Sequence, residues 1–154
     1  TQQLPTEQGW MSHEKTRRLL TIDAMTGEVQ KEELLDGLFE VKGVAQVGDQ
    51  LVVADGFLNS VAFFDTNLKL ERLRVLGAPG SIELTAQDQT LWHTDWLLTE
   101  IIFRSDLSGK LLDWGTAPFQ GGCAGLAFDG RNLWALDHSG HRVCMIEKTD
   151  AGKM

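Results

Sequence analysis

The sequence has no long apolar run and few basic residues, and each of these shortages argues against one class of protein. No stretch reaches the roughly 18 consecutive apolar residues of a membrane-spanning helix. Fourteen Lys and Arg against 22 Asp and Glu give a net charge of −8, whereas binding to a nucleic-acid backbone requires a basic face. We therefore expect neither a membrane nor a nucleic acid as a partner, and the charge favours cationic or neutral ligands.

Signals for targeting, redox chemistry and catalysis are equally sparse. The opening TQQLPTEQGW has neither a basic nor an apolar segment, so no secretory signal and a cytoplasmic location are expected. Cys123 and Cys144 match no zinc or redox spacing; buried free thiols are favoured over a bridge between neighbouring strands. No Gly-x-Ser-x-Gly or His-Glu-x-x-His motif is present, and the glycine-rich segments 77–80 and 119–125 lack the features of a phosphate loop.

What the sequence does contain is a repeat of about 40 residues. Four segments align, at 9–23, 51–65, 91–106 and 133–147, so their starting points differ by 42, 40 and 42 residues. Each has a short apolar run, a polar fifth residue, a short connection and a second apolar run. Period-two alternation between Gly, Asp and Asn turns predicts short antiparallel strands in these segments.

Four strands in about 40 residues, repeated along a chain, are typical of β-propeller blades. The stretch GLAFDGRNLWALDHSGHRVCMIE (125–147) resembles a blade of the NHL, virginiamycin B lyase-like and glutamine cyclotransferase-like propellers. The resemblance covers nearly the whole chain in the spacing and order of the repeated segments. It implies an all-β fold with about four antiparallel strands per blade. It names no function, because such blades carry lyases, cyclising enzymes and binding proteins.

The repeat predicts a single propeller or propeller-arc domain over residues 1–154. Its blade-like units are about 1–36, 37–77, 78–116 and 117–154. The first innermost strand falls on polar residues that include Pro5, and the last outermost strand would begin where the sequence stops. We therefore expect four blade units, two of them incomplete. Because propellers typically close with about 4–8 blades, we expect a homodimer that completes a ring of roughly six to eight. A four-bladed monomer and a fragment of a longer propeller are the alternatives.

The fifth position of the repeat is the first candidate for chemistry. It holds His13, Asp55, Asp95 and Asp137. An aspartate that ends a strand before a short loop accepts backbone N–H bonds and fixes the turn, and its recurrence in the blades favours this structural role. The alternative is that the four side chains ring one mouth of the channel and bind a metal. No cofactor is required, and a divalent metal such as Mg²⁺ or Ca²⁺ is the one candidate.

His138 and His141 are the candidate catalytic residues. They share a loop with Asp137 and form the one local cluster with acid–base or metal-ligand composition. Virginiamycin B lyase-like propellers place histidine, glutamate and Mg²⁺ around the channel mouth, so the resemblance makes this loop worth testing for catalysis. A solvated polar loop is the favoured interpretation, because motifs this short often match by chance.

Aromatic residues fall into two groups. Those at the second position of the repeat are predicted to fill the wedge between blades: Trp10, Trp92 and Trp134. Those near predicted connections are candidate walls for an apolar ligand, or part of a dimer contact: Phe39, Phe57, Trp96 and Phe119. Asp137 completes the predicted ligand-binding set.

Two functions are compatible with this pattern. The first is a binding module that presents a channel mouth or loop face to a small molecule or a protein partner, with no reaction assigned. The second is a lyase or hydrolase assisted by a divalent metal, which would use the Asp and His loops of one face.

Overall fold

The computed structural model describes residues 8–13, 17–78, 83–95, 100–117 and 122–147, the first of these segments by its main chain alone. These residues form fourteen strands in four antiparallel sheets and contain no helix, which confirms the predicted all-β class. Within each sheet the strands lie side by side in chain order. No helix among these residues is both long and apolar enough to span a membrane.

The two middle sheets have four strands each. The second sheet consists of β4 (Val41–Val47), β5 (Gln50–Asp55), β6 (Ser60–Phe64) and β7 (Leu70–Val75). The third consists of β8 (Leu84–Gln87), β9 (Thr90–Thr94), β10 (Ile101–Asp106) and β11 (Leu111–Thr116). The predicted positions of the repeated strands are therefore confirmed.

The first and last sheets have three strands each within the described residues. The first consists of β1 (Gln8–His13), β2 (Arg18–Asp23) and β3 (Val29–Leu34). The last consists of β12 (Cys123–Phe128), β13 (Leu133–Asp137) and β14 (Arg142–Ile146). Residues 1–7 and 148–154, where a first innermost and a last outermost strand were expected, lie outside the described residues.

Consecutive sheets pack face to face around their first strands. β4 contacts β1 on one side and β8 on the other, and β8 contacts β12. One apolar core fills each space between sheets: the first core includes Leu19 and Phe64, the second Val52 and Leu91, and the third Trp92 and Leu133. A central strand of a sheet with a neighbour on both faces is buried on both sides, which is why all five residues of β6 (SVAFF) are buried and four of them are apolar.

The tight turns before β7 and β11 share one device. Asp65 Oδ1 accepts the main-chain N–H groups of Asn67 and Lys69, both at 2.9 Å. Asp106 Oδ1 accepts those of Ser108 and Lys110 at 2.8 and 3.1 Å. The Lys69 amide holds the pKa of Asp65 below its usual value. Short-range Asx bonding of this kind explains why an Asp recurs in the turns that precede β7 and β11.

Candidate functional site

Two kinds of loop meet at one end of the sheets, which we call the loop end. It contains the connections between sheets, such as 35–40, and the hairpins that follow the fifth repeat position, such as 56–59 and 138–141. Main-chain hydrogen bonds join them: the Gly56 N–H donates to the Glu40 carbonyl at 2.9 Å, and the His138 N–H donates to the Gly122 carbonyl at 3.1 Å. Each hairpin is thereby fixed to the connection that precedes its sheet.

The Asp55 carboxylate strengthens this junction in the second sheet. Asp55 is fully buried, and its Oδ2 accepts the Phe39 N–H at 2.7 Å. Its Oδ1 accepts the N–H groups of Phe57 and Leu58 at 3.0 and 3.1 Å, and that of Glu40 at 3.4 Å. One carboxylate therefore satisfies four main-chain donors from two loops that are far apart in the sequence.

Phe39 and Phe57 are the aromatic pair that these bonds position. Their ring centroids lie 5.6 Å apart with the planes tilted by 35°. The two residues are 63% and 73% exposed, although their backbones are fixed by Asp55. Sequence analysis placed both in the ligand-binding set, and the structure brings these two members together.

Charged side chains lie beside Gly56, in the hairpin that carries Phe57. Lys42 Nζ is 3.2 Å from Glu40 Oε1. Glu83 is half-buried, and burial raises the pKa of its carboxyl group while the charge of Lys42 opposes that rise. A Cβ at Gly56 would come within 3.1 Å of both Glu40 Oε2 and Lys42 Cγ, so glycine is what lets these two side chains cross the hairpin that carries Phe57. These charged residues are not predicted from the sequence, since none of them recurs in the repeat.

The predicted catalytic loop of the last sheet is organised by Asp137. Its Oδ1 accepts the Gly140 N–H at 2.9 Å, and its Oδ2 accepts two bonds from the Arg142 guanidinium at 2.7 and 3.1 Å. The Gly140 amide and Arg142 hold the pKa of Asp137 below its usual range. Asp137 therefore lies in a different sheet from the aromatic pair and makes a different set of bonds.

His138 and His141 are both exposed on this hairpin. His141 has a φ of +49°, in the left-handed region. Their imidazole groups make no side-chain hydrogen bond with any residue that the structure describes. A catalytic role for these two histidines stays a prediction.

The proposed metal ligands each end a strand in a separate sheet or, for Asp95, directly follow it. Asp55, Asp95 and Asp137 are all buried. His13 ends β1, and its side chain lies outside what the structure describes, as do Trp96 and Phe119 of the ligand-binding set. In the described segments no three His, Cys, Asp or Glu side chains converge on one point. The oxygens of Asp55 and Asp137 face N–H donors, so metal binding at these positions also stays a prediction.

Comparison with known proteins identifies the fold. No protein-family model and no curated protein matches the sequence. A streptogramin B lyase structure is similar, with a TM-score of 0.66 and 16% identity, over 97% of this chain and 50% of that one. Virginiamycin B lyase from Staphylococcus aureus has a TM-score of 0.61 and 16% identity, over 92% and 52%. Myxococcus xanthus glutaminyl cyclase has a TM-score of 0.61 and 15% identity, over 77% and 52%. The fold is that of a β-propeller.

The predicted resemblance is therefore confirmed at the level of blades. The four sheets are propeller blades. The chain spans about half the length of each similar structure. Identities of this size establish the fold alone, so the names of the similar proteins do not assign an activity to this chain.

A cleft of about 440 Å³ lies between the third and last blades, at the end opposite the loop end. It is lined by residues that include Trp92, Arg104, Arg131 and Met145. Its lining includes residues of β9 and β10 of the third blade and of β13 and β14 of the last.

The cysteines are both free. The Cys123 thiol is buried and donates a hydrogen bond to the Gly125 carbonyl at 3.2 Å. Burial raises the pKa of this thiol, and the charge of Glu83 raises it further. Because the thiolate is the reactive form, Cys123 is poorly suited to act as a nucleophile.

Proposed function

We propose that the chain is a binding module whose loop end takes a small ligand that combines an aromatic or apolar group with a positive charge. The observation that supports this is the pair of exposed phenylalanines, Phe39 and Phe57, held by the buried Asp55. Exposed apolar side chains on fixed main chain are typical of binding surfaces. The main chain is already ordered, so binding costs little conformational entropy.

The charge preference of the ligand follows from Lys42, which lies against the hairpin that carries Phe57, and from the carboxylates around it. Two carboxylates, Glu40 and Glu83, lie near one ammonium group, Lys42. The whole chain has a net charge of −8, and this field also concentrates cations near the surface. A cationic or neutral ligand is thus favoured over an anionic one.

Three monoaromatic probes test the site: phenethylamine, benzyl alcohol and phenylacetate, which are cationic, neutral and anionic. In NMR titrations of the labelled protein, we expect the amide signals of the 35–40 and 56–59 loops to shift. Affinity should fall in the order in which the probes are named. Phe57→Ala should weaken phenethylamine binding about tenfold, which corresponds to about 1.4 kcal/mol.

Met25→Ala provides the matched control, because Met25 is 82% exposed but lies on the turn before β3, away from the loop end. Its phenethylamine affinity should equal that of the unchanged protein. Equal affinity for all three probes would contradict the charge preference. Unchanged phenethylamine affinity in Phe57→Ala would show that the ligand does not bind at this aromatic pair.

The proposed function is binding, and it includes no chemical reaction. Two of the similar structures are lyases and one is a cyclase by name. No contact or distance among the described residues specifically favours such chemistry at the loop end of this chain.

A further inference from the structure

One face of the last blade is apolar, and no described segment covers it. Trp134 and Leu136 of β13 pair with Met145 and Val143 of β14, so the four side chains project from the same face. None of the four carries a charge. Leu136 and Met145 are each 42% exposed, and Val143 is 66% exposed. We call these four residues the trailing face.

The repeat shows what covers such a face. The positions equivalent to Leu136 and Val143 are Ala54 and Val61 in the second blade, and Thr94 and Ile102 in the third. All four of these residues are buried, with no more than 1% exposed. In both middle blades the cover is the following blade, because Val61 packs in the second core and Ile102 in the third. Among the residues that the structure describes, no following blade covers the trailing face.

The first blade has a face of the complementary kind, which points away from the second blade. Leu19 of β2 packs in the first core, against the second blade, so its neighbours in the strand, Leu20 and Ile22, project from the opposite face. Both are only half-buried. The equivalent residues of the second blade, Ala62 and Phe64, are buried against the first blade. We call Leu20 and Ile22 the leading face.

We propose that the trailing face of one copy packs on the leading face of a second copy, and that two such junctions close one propeller. Each of the three junctions between the described blades joins a trailing face to a leading face, and the described part of the chain leaves one face of each kind uncovered. The chain also spans about half the length of the similar structures, so two copies supply a comparable length. Two identical head-to-tail junctions are related by a two-fold axis, which gives a closed ring.

The mass in solution tests this assembly, which is independent of the proposed ligand. Size-exclusion chromatography with light scattering should give twice the 17.1 kDa of one chain. A mass of one chain would overturn the proposal. A series of larger species would also overturn it, because head-to-tail junctions that do not close build open filaments.

Single lysine substitutions test the two faces separately. Val143→Lys on the trailing face and Leu20→Lys on the leading face should each weaken dimerisation at least tenfold. Val75→Lys is the matched control, since Val75 is also an exposed strand valine, 71% exposed on the outermost strand of the second blade, and this variant should remain a dimer. Circular dichroism melts establish that each variant is folded. A folded Val143→Lys that stays dimeric would refute the proposed junction.

Mixing the two variants distinguishes head-to-tail packing from a symmetric contact between two trailing faces. A Val143→Lys copy retains its leading face, and a Leu20→Lys copy retains its trailing face. Their mixture should therefore recover a heterodimer held by one junction. If Leu20→Lys alone dimerises normally and the mixture recovers no heterodimer with Val143→Lys, the head-to-tail arrangement is wrong.

Discussion

Replacing Asp55 with alanine is expected to destabilise the protein by about 3 kcal/mol. The buried carboxylate accepts the N–H groups of Phe39, Glu40, Phe57 and Leu58. Its removal leaves the partly buried donors without an acceptor, and hydrogen bonds to a charged group are worth more than neutral ones. Urea unfolding should show a lower midpoint with little change in slope.

Asp65→Ala is the matched control for this loss. Asp65 makes the same kind of turn bonds, but to the N–H groups of Asn67 and Lys69 on an exposed turn. Water replaces those bonds when the carboxylate is removed, so the expected loss of stability is clearly smaller than that in Asp55→Ala. Asp55→Asn should fall between the two. A loss in Asp55→Ala no larger than that in Asp65→Ala would show that the loop junction does not depend on this carboxylate.

Lowering the pH from 7 to 4 is expected to reduce stability through His93. His93 is fully buried in the third blade, where its Nε2 lies 3.0 Å from Ser105 Oγ and its ring stacks on Phe103. Burial lowers the pKa of His93 from 6.5 to about 4. Above pH 6.5 the imidazole is neutral in both states and contributes no pH dependence. Between pH 6.5 and 4 only the unfolded chain takes up the proton, so unfolding becomes easier by up to about 3 kcal/mol.

The measurement is a set of denaturant unfolding curves at half-unit steps of pH, for the protein and for His93→Gln. The variant should lose most of the slope between pH 6.5 and 4, since glutamine does not titrate. Glu83 titrates with the opposite sign in part of this range, because burial raises its pKa, but it is present in both proteins and cancels in the difference. Parallel curves for the two proteins would show that His93 is not the group responsible.

The strands were predictable from the sequence because their signals are local. Apolar alternation marks β5 and β9, and an Asx-type turn such as the one at Asp65 interrupts the pattern where the chain reverses. The spacing of the repeat then arranges these strands into blades. No contact between distant residues is required for either step.

The candidate site was only partly predictable because it depends on contacts between blades and loops. Phe39 and Phe57 were each recognised as loop aromatics, but their separation of 5.6 Å depends on the bonds of Asp55 across two loops. The tryptophans show the same limit. Trp92 and Trp134 occupy one repeat position, yet Trp92 is buried and Trp134 is only half-buried, because the last blade covers Trp92 and no described blade follows Trp134.

The three separate cores have a consequence for how the chain opens. Each core joins two consecutive blades, so the stability of a blade is set mainly by its immediate neighbours, as in other repeat proteins. The middle blades share two cores each and the end blades share one. Amide hydrogen exchange of a single copy should therefore be slowest in β5, β6, β9 and β10, and it should quicken toward β2 and β14. Opening would then proceed inward from both ends, one blade at a time.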